Sequence, residues 1–150
     1  MRCNFEITQG VEFSGAFGCL DVHNAYELTA AEVEGQRLEL RFAANQYRIP
    51  GRPLAFEVVF DNVSHHILPA DLADLFIDEI GFLGASEGDD ESLSHRSKPA
   101  DGELLAFRWG IEAVEGMARI AADRAEVRVT IGPPADEPAP APRRRKGLFA

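Results

Sequence analysis

Long apolar runs, lysine and cysteine are all scarce in this 150-residue sequence. No stretch approaches the roughly 20 consecutive apolar residues of a membrane-crossing helix, which excludes that class. The opening MRCNFEITQGVEF holds no basic region followed by an apolar run, so a cytoplasmic protein is expected. In a reducing compartment the two cysteines, Cys3 and Cys19, are expected as free, buried small residues. Catalytic signatures are missing too: there is no P-loop, GxGxxG, HExxH or CxxC, and the GASEG run at 84–88 falls in a loop rather than at the strand-to-helix elbow that a GxSxG nucleophile needs. The reading leans away from an enzyme, and no cofactor is called for.

What is present in excess is acid. The net charge is −10, with Lys98 and Lys146 the only lysines, and it is unevenly spread. Residues 133–150, PPADEPAPAPRRRKGLFA, carry four basic and two acidic side chains, which leaves the body at −12. A body of that sign is repelled by phosphate backbones, so nucleic-acid binding by the folded part is not expected. A basic protein is attracted to it and steered.

Organisation follows from period and punctuation. Leu38, Leu40 and Phe42 alternate with Arg37, Glu39 and Arg41, the mark of a half-buried strand. The same alternation runs through Leu54, Phe56, Val58 and Phe60, through Leu105, Phe107, Trp109 and Ile111, and through Val127, Val129 and Ile131. Asn4–Thr8, Tyr26–Glu34 and Phe76–Leu83 are shorter candidates. Gly35-Gln36 marks a hairpin turn, and Pro50-Gly51 with Pro53 the next turn. Residues 116–125 fit an Ala-rich helix or a turn and strand, and are read as strand.

Leu68, Leu72, Leu75 and Phe76, with Pro69 near the start, predict a helix of about two turns. Residues 84–103 lack apolar periodicity and read as a long solvated loop. The expected fold is therefore mainly β, bordering on α+β: an antiparallel sandwich or open barrel of about six to seven strands with one short helix. It occupies 1–132 as a single domain, and 133–150 is a disordered, Pro/Ala-rich tail with a basic terminus. The strand edges leave the oligomeric state open.

Three groups of residues are candidates for a site. Asp71, Asp74, Asp78 and Glu79, extended by Asp89, Asp90 and Glu91, form an acidic surface suited to a basic partner, or a solvated polar face. Asp21 and His23, with His65 or His66, have the ligand types of a metal site. Adjacent strand residues face opposite ways, so the His65-His66 pair supplies only one ligand, and the DVHNA segment equally suits a turn. In the tail, Arg143, Arg144, Arg145 and Lys146 precede Leu148 and Phe149, a pattern for docking in a partner groove. Two apolar side chains do not anchor a chain stably in a membrane.

The runs DVHNAYELTAAEVEGQRLELRF, LAFEVVFDNVSHH, FIDEIGFLG, LLAFRWGIEA and AEVRVTI resemble a loose group of small bacterial β-rich domains. Some of that group are immunity proteins of polymorphic toxin systems. The resemblance spans roughly residues 18–131. His23-Asn24 stands where the group often has His-Asp ahead of an Ala. The resemblance implies a protein-neutralising role, which agrees with the acidic body. The expected function is thus a non-enzymatic, immunity-like binding domain for a basic protein such as a toxin. The alternatives are a metal-dependent enzyme or metal-binding domain and an adaptor with a basic docking tail.

Overall fold

The computed structural model describes residues 1–84, 92–94, 96–112 and 114–137. Its strands are β1 (Arg2–Cys3), β2 (Glu6–Thr8), β3 (Glu12–Gly15), β4 (Gly18–Asp21), β5 (Tyr26–Glu34) and β6 (Arg37–Ala44), then β7 (Ala55–Asp61), β8 (His65–Ile67), β9 (Phe76–Gly84), β10 (Glu103–Ile111), β11 (Val114–Ala121) and β12 (Arg124–Ile131). They form a five-stranded sheet, β1-β12-β7-β6-β5, a four-stranded sheet, β8-β11-β10-β9, and a three-stranded sheet, β2-β3-β4. Among the described residues every strand pairing is antiparallel except the short β1–β12 contact, and no sheet closes into a barrel. The mainly β class holds. Among the described residues no helix is long and apolar enough to cross a membrane.

Most alternating segments sit as their period requires, but in 127–131 only Val127 is buried, while Val129 and Ile131 are exposed where a register shift interrupts the pairing with β7. Leu38, Leu40 and Phe42 pair in register with Phe60, Val58 and Phe56, and all six point into the core. Phe82, Leu105 and Ile120 form one cross-strand row of the four-stranded sheet, Ile80, Phe107 and Ala118 another. Both rows enter the same core. Phe13 ties the small sheet to it, edge-on to Phe5, Phe42 and Phe56, while Phe42 and Phe56 stack with centroids 4.8 Å apart. Gly35 takes φ 60° in the two-residue turn that closes the β5–β6 hairpin.

Three expectations are corrected. The helix expected around Leu68, Leu72, Leu75 and Phe76 is absent: the Asp71 carboxylate accepts from the Ala73 N–H, Leu75 N–H bonds Leu72 C=O, and Asp74 is left-handed at φ 58°. From Phe76 onward the chain instead pairs with β10 along its length, so tertiary pairing overrides a helical spacing of leucines. The described residues hold twelve strands rather than six or seven, because β1–β4 and β8 have only two to four residues each, too few for a period to show. The 84–103 segment is not wholly solvated: Leu93 is 2% exposed and joins Leu83, Leu104, Ala106 and Met117 in a second core on the far face of the four-stranded sheet. Gly81 makes room, since a Cβ there would lie 2.8 Å from that of Leu93. The strand reading of 116–125 holds, with β11 turning into β12 around Asp123.

Candidate functional site

The first two strand edges to consider are β5 and β9, which end the two large sheets and approach one another. Each carries a bulge. On β5, Leu28 pairs with Phe42 and Ala30 with Arg41, so Thr29 is extra and its hydroxyl donates to the Arg41 carbonyl. On β9, Ile77 pairs with Trp109 and Glu79 with Arg108, so Asp78 is extra. A bulge interrupts the ladder and re-aims a side chain, and both extra residues line surface depressions.

Phe76 joins these depressions. On one side lies a cleft of about 220 Å³ lined by Asp78, Arg108, Trp109, Gly110, Glu115 and Met117. On the other, a shallow groove runs between Glu27, Leu28 and Thr29 of β5 and Asp71, Leu72, Asp74 and Leu75. Phe76 lines both and is 48% exposed. Its ring lies over Gly110, where a Cβ would be 2.5 Å from the ring, and the Trp109 ring lies as tightly over Gly116. Two strand glycines therefore seat two aromatic rings.

The carboxylates divide. Asp71 and Asp74 face the groove, Asp78 faces the cleft, and half-buried Glu79 lies 3.7 Å from Arg108. Among the described residues Glu27, Asp71, Asp74, Asp78 and Glu115 make no ion pair. The acidic surface expected from sequence is thus partly assembled, but around an aromatic centre. Phe76, Trp109, Glu27 and Glu115 were outside the sequence-derived set, and glycines inside strand patterns at 110 and 116 are the signal that points to the rings. Asp89, Asp90 and Glu91 lie outside the described residues, as do Arg143, Arg144, Arg145, Lys146, Leu148 and Phe149.

The metal candidates are employed elsewhere. The Asp21 carboxylate accepts from the N–H groups of His23 and Asn24 at 2.9 Å each, closing the DVHNA turn. The His23 ring is 2.6 Å from the Ile77 carbonyl, pinning that turn to β9. His65 and His66 lie on β8, paired with Ala121 and Ile120. Among the described residues no three His, Cys, Asp or Glu side chains gather where they could hold a metal ion, so Asp21, His23, His65 and His66 form no such set.

A half-buried contact ties the last described residue to the body. Glu137 receives two hydrogen bonds from the Arg48 guanidinium, at 2.6 and 3.0 Å, and one from the Gly51 N–H at 3.2 Å. The Arg48 hydrogen bonds hold the Glu137 carboxyl below its usual range. The chain is therefore tied to the 45–54 loop as far as Glu137, five residues past Gly132. That loop borders the Phe76 region: the Arg48 N–H bonds the Asn45 carbonyl, and Asn45 lines a small hollow with His23, Tyr26, Leu75 and Phe76. Tyr26 donates to the Pro53 carbonyl, and burial pushes its phenol up to about 12.

Comparison with known proteins finds no matching family model, no matching curated protein and no matching solved structure.

Proposed function

We propose that this chain is a non-enzymatic, cytoplasmic protein-binding domain of the immunity type, and that the face centred on Phe76 takes a basic protein such as a toxin. One observation carries the reading: a half-exposed aromatic ring stands between two depressions rimmed by Glu27, Asp71, Asp74, Asp78 and Glu115, none of which makes an ion pair among the described residues. Interfaces concentrate binding energy in a central aromatic anchor and surround it with polar residues. A body at −12 adds long-range attraction for a basic partner and repels nucleic acid. The resemblance to immunity proteins points the same way.

The test is to produce the chain with the product of the neighbouring reading frame, which the proposal expects to be basic and toxic, scoring relief of toxicity and measuring affinity by calorimetry. Phe76→Ala is expected to weaken binding by about 2 kcal/mol, roughly 30-fold, with the Trp109 fluorescence spectrum still that of a folded chain. Failure of the native chain to bind, or full affinity in Phe76→Ala, overturns the proposal.

A further inference from the structure

We propose that, when no partner is bound, the groove between β5 and residues 71–76 is occupied by this chain's own C-terminal segment, with Arg143–Lys146 against Glu27, Asp71 and Asp74 and the Leu148-Phe149 pair against Leu72 and Phe76. The inference rests on the docking face proposed above and makes it self-regulated.

Three observations meet here. The groove is apolar at its floor, with Leu28, Leu72, Leu75 and Phe76, and acidic at its rim. The sequence of the segment is the complement: four consecutive cations, one glycine, then two large apolar residues. The Glu137–Arg48 contact ties the chain to the 45–54 loop, and Asn45 of that loop shares a hollow with Leu75 and Phe76, which also line the groove. Five residues, three of them proline, separate Glu137 from Arg143, and a proline-rich sequence spans about 19 Å over those six steps at roughly 3.1 Å per residue. The whole of 138–150 reaches about 40 Å on the same basis. A tether of that length holds its end at an effective concentration on the order of millimolar, so even a weak contact is populated. Glu137 thus acts as a positioning residue for the segment that follows it.

The consequence is competition. A basic partner must displace the cations and the apolar pair before it reaches Phe76, which lowers its apparent affinity by the occupied fraction. Salt weakens the contact, because Glu27, Asp71 and Asp74 on the groove side are exposed.

The experiment uses the full chain. Amide spectra of the native protein are compared with those of R143E/R144E/R145E/K146E. The expected shifts outside residues 138–150 fall on Glu27, Thr29, Ala73, Asp74 and Phe76. They disappear when the same comparison is made in an E27K/D74N background, where Asn suits the left-handed backbone at position 74. Shifts confined to 138–150, or scattered over the other faces, overturn the inference. In a second arm the neighbouring basic protein is titrated into both chains, and the charge-reversed tail is expected to bind it about tenfold more tightly. Equal affinity with no groove shifts refutes the tail alone and leaves the docking face standing. Groove shifts with no partner binding sustain the tail and refute the immunity reading.

Discussion

Two charged surfaces of this molecule use similar residues to opposite ends. On the outer face of the five-stranded sheet, Arg41 reaches Glu32 and Glu39, Arg37 reaches Glu39 and Asp61, and Arg124 and Arg128 share Glu126. Val59 faces the same way, pairs with Glu39 and Glu126, and is fully buried, so the surrounding charged chains cover it with their aliphatic stems. That surface neutralises itself. Around Phe76, in contrast, Glu27, Asp71, Asp74, Asp78 and Glu115 share one sign and make no ion pair among the described residues. Clustered like charges cost stability, and their field extends outward to whatever carries the opposite sign. The difference separates a surface that completes the fold from one that is completed by something else.

The strongest way to break that distinction is to move equal charge on each surface. E27K/D78K and E32K/E34K change the net charge identically, and Glu27, Glu32 and Glu34 even share β5. The first pair is expected to weaken the basic partner by about 100-fold, near 2.7 kcal/mol, and the second by less than about threefold. Calorimetry at two salt concentrations checks this. Equal losses from both pairs mean that only total charge matters and that the Phe76 face has no special role.

How much of this was readable beforehand depends on the length of each pattern. The runs at 37–43, 54–60, 105–111 and 127–131 are long enough for a period of two to show, and each became a strand, although in the last only Val127 reaches the core and Val129 and Ile131 are exposed. Leu68, Leu72, Leu75 and Phe76 mimic a helix because four leucine-class residues at those spacings fit either one helical face or a turn followed by a strand. The left-handed Asp74 and the ladder with β10 decide the matter, and neither shows in local sequence. Asp71, Asp74 and Asp78 were found by counting carboxylates. Phe76 was hidden because an aromatic in an apolar pattern reads as core, and only its seat over Gly110 marks it as a surface anchor. Glu27 and Glu115 come from distant segments that only the pairing of strands brings to one face.

Gly110 offers a sharper cut at the aromatic side of the comparison. A Cβ at this position meets Phe76 at 2.5 Å, so Gly110→Ala must displace the ring. The expected loss is about 1–3 kcal/mol in urea unfolding, together with loss of partner affinity. In a Phe76→Ala background the same change should cost less than about 1 kcal/mol, because the obstacle is gone. A cost that persists unchanged in the double variant places the strain in the backbone and removes the reason for a glycine-seated anchor.

The smallest effect belongs to the self-neutralising face. Glu126 lies between Arg124 and Arg128, and hydrogen bonding to Arg128 is the main reason that its carboxyl is held below the ordinary 4.5. A carboxyl lowered in the folded state stabilises above its unfolded value, and that stability fades as pH falls through the lowered one. Glu126→Gln should therefore cost less than about 1 kcal/mol at neutral pH, and the difference from the native chain should vanish in acid. It should also shrink in 1 M salt, where the screening length is about 3 Å. Paired denaturation curves at pH 7 and pH 3 measure it. A difference that grows toward acid reverses the sign of the linkage and shows that Glu126 is neutral rather than ion-paired in the fold, which would leave the outer face of the five-stranded sheet a cationic surface instead of a balanced one.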